Sequence, residues 1–189
     1  MIRIGILGDI GSGKSYIAKN FGFPVFNADS EVAKLYQKDK KIFKKLKKIL
    51  PKFFKSFPIK KNEVLDAILA DKNNLKKIIK IVHFEIKKKM NIFLNKNKNS
   101  QIVILDVPLL LENKINRKND ILIFVQARKK EIFKRLKKRN NFNNKVYNKF
   151  KKIQFSASYK KKKSHFVILN DFSYKSIKIR INNIVSQII

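Results

Sequence analysis

Residues 8–15 read Gly-Asp-Ile-Gly-Ser-Gly-Lys-Ser and follow directly on the apolar run Ile2-Arg3-Ile4-Gly5-Ile6-Leu7. This is a complete G-x-x-x-x-G-K-[ST] pattern, set where a first buried strand turns into a helix. It constrains the fold because such a turn needs a strand behind it and a helix ahead of it. It constrains the ligand because glycines let successive N–H groups face an anion, and the helix adds the positive end of its dipole. Gly8, Asp9, Ile10, Gly11, Ser12, Gly13, Lys14 and Ser15 are therefore expected to bind a nucleoside triphosphate. Lys14 would reach the β- and γ-phosphates and the Ser15 hydroxyl would ligate Mg²⁺. The bland alternative is a glycine-rich turn.

The rest of the chain alternates strand and helix around one long helical insertion. Short apolar runs at Phe23–Phe26, Gln101–Leu105, Ile121–Val125 and Phe166–Leu169 read as four more buried strands. Helical periods cover Lys14–Phe21, Ser30–Gln37 (with Ser30 as cap), Lys41–Leu50, Asn62–Ala70, Leu75–Asn95, Lys129–Lys138, Lys145–Phe155 and Ser173–Ile188. Lys72-Asn73-Asn74 reads as a turn between two of them, and Lys160–Lys163 as a solvated low-complexity run. Five short apolar strands separated by helices predict an α/β fold, a five-stranded parallel sheet between helices.

Composition narrows the function classes. The chain has 189 residues, 44% of them hydrophobic, enough to build a core. It has no cysteine, so thiolate and disulfide chemistry are excluded. No apolar run approaches the ~20 residues of a membrane helix, and the N-terminus runs straight into a strand without the parts of a signal peptide. A cytoplasmic protein, a monomer or weak homo-oligomer that needs no membrane, is the expectation. The net charge of +33 raises nucleic-acid binding. Yet only six of the 46 basic residues are arginine, and the lysines are spread over the whole chain among Asn, Ile and Phe, which share A/T-rich codons. Codon drift accounts for the charge, so no nucleic acid partner is expected, and attraction for a polyanionic substrate follows either way.

Open α/β sheets bind ligands at the carboxyl ends of their strands. Asp29 follows the second strand and Asp106 the third. Asp106 occupies the Walker-B position, where an acid holds Mg²⁺; the alternative is a strand-terminating cap. Asp29 is either the base that accepts a hydroxyl proton during phosphoryl transfer, or a helix cap.

In order, Gly8–Ser15, Asn27-Ala28-Asp29, the isolated His83 and Asp106-Val107-Pro108-Leu109-Leu110-Leu111-Glu112-Asn113 resemble the dephospho-CoA kinase family. The D-x-P-L-L-x-E-N block is the most specific element. Arg135 and Arg139, Gln154 and Val167-Ile168-Leu169-Asn170-Asp171 extend the resemblance over essentially the whole chain. It implies a phosphate-loop core at about 1–30, 98–127 and 165–189, a helical substrate subdomain at about 31–97, and a lid at about 128–164. It also implies transfer of the γ-phosphoryl of ATP to the 3′-hydroxyl of dephospho-CoA. Asp29 would be the base, Lys14 and Arg139 would stabilise charge, and Ser15 and Asp106 would hold the metal. Asn170 would join the ATP site, while His83, Pro108, Leu109, Leu110 and Glu112 would face the substrate.

Several positions depart from the family pattern. Asp9 stands in the loop where a second glycine is usual, and a carboxylate there is repulsive to phosphate unless it points away. Asn27 replaces an Asp, Phe84 a Pro, Ala157 an arginine three residues after Gln154, and Ser164-His165 a small-Asp pair. A neighbouring lysine would then supply the lost charge as a point, without the arginine fork. The alternatives are another small-molecule kinase of nucleoside monophosphate or shikimate type, and a nucleic-acid-binding ATPase.

Overall fold

In the computed structural model, residues 1–138 and 142–189 are described. Five strands, β1 (Ile2–Gly8), β2 (Val25–Asn27), β3 (Ile102–Asp106), β4 (Ile121–Gln126) and β5 (Phe166–Leu169), form one parallel sheet in the order β2-β3-β1-β4-β5. The predicted sheet is thus present. Its strands alternate because successive side chains leave opposite faces. On β3, Ile102 and Ile104 enter one core with Ile4, Ile6, Ile17, Ile168 and Ile177, while Val103 and Leu105 enter the other. Gly5 in the central strand is dictated by contact: a Cβ there would lie 2.6 Å from Leu110 Cδ2 and 2.9 Å from Leu122 Cδ2.

Helices α1 (Lys14–Asn20) and α9 (Tyr174–Ile188) cover the first face. The second is covered by α2 (Ala28–Lys38), α3 (Lys40–Ile49), α4 (Lys61–Ala70) and α5 (Lys72–Lys96). The 25-residue α5 buries Leu75, Ile78, Val82, Ile86, Met90 and Leu94 at helical spacing, and its Phe93 ring meets Phe26 of β2 at 5.5 Å. It begins earlier than its sequence indicates. Asp71 accepts from the Asn73 N–H as N-cap, so Lys72–Asn74 is a first turn of helix rather than a connecting turn. Asn74 is buried and donates to the Ala67 carbonyl, which ties α5 to α4.

The last helices are α6 (Lys129–Lys137), α7 (Asn144–Ile153) and α8 (Ala157–Lys162). The short α8 has no apolar stripe to announce it, and it changes the reading of the lysine run. Lys160 is only 3% exposed, whereas Lys161, Lys162 and Lys163 face solvent. His165, in place of an acid before β5, exchanges bonds with Leu122: its N–H donates to the Leu122 carbonyl and its Nδ1 accepts from the Leu122 N–H. Among the described residues, no helix is long and apolar enough to cross a membrane.

Candidate active site

The carboxyl ends of β1, β2 and β3 meet at one edge of the sheet. Gly13 caps α1 at φ 92°, and a Cβ there would lie 2.2 Å from Asn170 Nδ2. Both the backbone angle and the space require glycine. Asn170, 2% exposed, lies beneath the loop: its Nδ2 donates to the Ser12 carbonyl at 2.7 Å and its Oδ1 accepts from the Phe172 N–H. Its side chain therefore braces the loop from behind. Ser12 is buried as well, and Gly8 ends β1.

The Lys14 ammonium donates to the carbonyls of Gly8 (3.1 Å) and Asp9 (2.9 Å). Its removal from water pushes its pKa down; Asp106 opposes that, Lys160 reinforces it, and Asp29 and Asp9 oppose it more weakly. Asp9 also raises the Tyr147 hydroxyl, in addition to burial, so its charge acts on the wall formed by α7.

Asp106 is 3% exposed and accepts from Asn27 Nδ2 at 2.5 Å. The register of β2 on β3 sets Asn27 beside it. The Asn27 Oδ1 accepts from the Ser30 N–H at 2.7 Å, so Asn27 caps α2. Ser30 is therefore not the cap, and neither is Asp29. Asp29 sits in the first turn of α2, near the positive end of its dipole.

Two clefts meet here. The first, about 670 Å³, is lined by Ile10, Gly11, Gly13, Lys14 and Ser15 of the loop, with Asp106 and Gln154. Arg135 and Phe172 also line it, the guanidinium 4.2 Å from the ring centroid. Phe172 has φ 64°, unusual for a bulky residue and fixed by the bond its N–H makes to Asn170. The second cleft, about 720 Å³, runs between the sheet edge and helices α2, α4 and α5, with walls that include Val32, Tyr36, Ile78, Val82 and His83. Asp29, Pro108, Leu109, Val146 and Phe150 line both.

In the second cleft, burial raises the Tyr36 hydroxyl to about 12, so it stays protonated. Burial, and then Lys87, lower His83, whose Nε2 is buried without a hydrogen-bond partner. The imidazole is held toward its neutral form.

Of the residues expected from sequence, Leu110 is 1% exposed in the core. Glu112 faces the α7–α8 segment, accepting from the Phe155 N–H and pairing with Lys160. Arg139 lies outside the described residues. Asn27, Phe172, Tyr147, Phe150 and Lys160 had no role in the sequence reading; only Asn27, two before Asp29, had a signal in its placement. On α7, Lys149 donates to the carbonyls of Ile68 (2.6 Å) and Leu69 (3.1 Å) at the end of α4.

A family model described as dephospho-CoA kinase matches residues 2–176. The dephospho-CoA kinase of Wolbachia pipientis wMel is 33% identical over 190 residues, covering 98% of this chain and 97% of its own. A protein of Thermus thermophilus superposes with a TM-score of 0.81 at 24% identity, over 98% of this chain and 96% of that one. The dephospho-CoA kinase from Campylobacter jejuni does so with a TM-score of 0.61 at 20% identity, over the same shares. The two structural likenesses establish the fold.

Proposed function

The chain belongs to the dephospho-CoA kinase family, and from that premise we propose how its residues divide the reaction. The activity is ATP-dependent phosphorylation of dephospho-CoA, the last step of coenzyme A synthesis. The observation that carries the assignment is Asp29 on the wall of both clefts. A phosphoryl transfer needs donor and acceptor in line, with a carboxylate at their meeting point.

ATP takes the first cleft. The loop N–H groups and Lys14 hold its phosphates, and the Arg135–Phe172 pair receives the purine face, since planar cations and rings both stack on bases. Dephospho-CoA takes the second cleft, whose apolar walls suit its pantetheine arm, with Tyr36 and His83 as polar contacts. Asp29 accepts the proton of the ribose 3′-hydroxyl as that oxygen attacks the γ-phosphorus. The bond from the γ-phosphorus to the β–γ bridging oxygen breaks, and ADP leaves.

Ser15 and Asp106 fit magnesium. A buried carboxylate and a hydroxyl are hard oxygen donors of the kind that would hold this ion. When bound, it neutralises charge on the β- and γ-phosphates. Asn27 fixes the Asp106 carboxylate for that purpose. Residues about 31–97 then serve as the substrate subdomain and about 128–164 as the lid. Arg139 is assigned transition-state charge by the resemblance alone.

The test is ADP formation from Mg-ATP with and without dephospho-CoA, with the product weighed. Acceptor-dependent ADP and a product heavier by one phosphoryl group are the outcome expected of this division of the reaction. ATP binding without acceptor dependence overturns it. Shikimate or nucleoside monophosphates as better acceptors would restore the other kinase readings.

A further inference from the structure

We infer that Lys160 is a second phosphate-directed cation of this active site, kept on Glu112 and Gln154 and drawn to the triphosphate when ATP binds. The inference rests on the assignment of ATP to the first cleft.

Four observations converge. Lys160 is 3% exposed, in a run whose other three lysines are in water. Its ammonium lies 3.3 Å from Gln154 Oε1 and 3.7 Å from Glu112 Oε1. Gln154 is itself on the wall of the ATP cleft. Glu112 Oε1 is already engaged by the Phe155 N–H at 2.8 Å, and the 3.7 Å ion pair is longer than a charge-assisted hydrogen bond. The partner therefore holds the ammonium without saturating it.

The electrostatics give the direction. Lys14 lines the same cleft as Gln154, the residue to which Lys160 donates. Two ammonium groups brought together away from water repel, and the repulsion is relieved by an anion placed between them. A triphosphate is such an anion. A buried Lys160 beside the half-buried Lys14 thus gives a preference for a ligand with several negative charges over one with few.

The placement also bears on Ala157. That position, where some members of the family carry arginine, lies three residues before Lys160 on α8. The buried Lys160, three residues on in the same helix, supplies a point charge without a bidentate fork.

The experiment must separate this role from that of an internal ion pair. Lys160→Met combined with Glu112→Gln removes both charges and leaves neither buried alone. Lys160→Gln, which keeps a hydrogen-bond donor for Glu112, serves if the double variant does not fold. Calorimetric binding of ATP and of AMP is measured without acceptor, followed by kcat at saturating ATP. We expect ATP affinity to fall at least about tenfold, as for a lost charge-assisted bond, with AMP affinity unchanged, and kcat to fall as well. Wild-type ATP binding and turnover in a folded variant would reduce Lys160 to an internal counter-ion of Glu112. An equal loss for AMP would mean a distorted loop and would equally overturn the inference. Because binding is read without dephospho-CoA, a wrong acceptor would leave this result intact.

Discussion

At Asn27, one amide group serves two neighbours. Its oxygen caps α2 and its nitrogen holds Asp106. Asn27→Ala should cost about 1 kcal/mol for the cap, and so lower the melting temperature by about 2–4 °C in a chain of this size. It should also lower kcat, because Asp106 loses the amide donor that fixes its carboxylate; a melt and a rate on the same sample check both. Asp29→Asn should lower kcat by about 10²–10⁴ with ATP affinity retained, since the amide accepts no proton. Calorimetry beside steady-state rates decides this, and a wild-type rate would remove Asp29 as base. His83 titrates below its ordinary value in the fold, so the unfolded chain binds the proton first as pH falls. Stability from this group is therefore full above the ordinary pKa of about 6.5 and is lost as pH drops below it. His83→Gln should flatten the fall in melting temperature between about pH 7 and 5 relative to wild type. Lys14, Asp29 and Asp106 were legible in the sequence because strand ends and a fixed motif place them. Lys160 was not: within four consecutive lysines nothing local says which one turns inward, and only the packing of α8 against the core selects it.

Among the elements, the strands and long helices were readable because hydrophobic period is a property of the segment itself. Caps and the short α8 were not. Three candidate caps lie within four residues at Asn27–Ser30, and the choice of Asn27 depends on its strand register with Asp106. The α1 N-terminus gives a sharp test. Gly13→Ala forces an L-residue to φ 92° and drives its Cβ into Asn170. ATP binding should be lost together with stability, whereas Asn170→Ala, which removes the obstacle and the brace, should weaken ATP binding while leaving the chain folded. On the opposite wall, α7 is tied to α4 through Lys149. Lys149→Met should raise KM for dephospho-CoA more than KM for ATP, because α4 borders the acceptor cleft and not the nucleotide cleft.

Over the whole molecule, the charge of +33 acts on both substrates, which are polyanions. Encounter should be salt-sensitive: kcat/KM for dephospho-CoA should fall steeply as NaCl rises from about 10 to 300 mM, across the range where the screening length shrinks from roughly 30 Å to below 8 Å. Stimulation of ATP hydrolysis by RNA, at any salt, would instead favour a nucleic-acid role for that charge. The Lys149 contact with α4 has a further meaning in terms of heredity. Its acceptors are the main-chain oxygens of Ile68 and Leu69, which every residue type carries. A lineage whose codons drift toward Ile, Lys, Asn and Phe can rewrite the outward side chains of α4 and still keep this fastening, provided the helix ends in the same place. The parts of the machine made from backbone are those that mutation pressure reaches last.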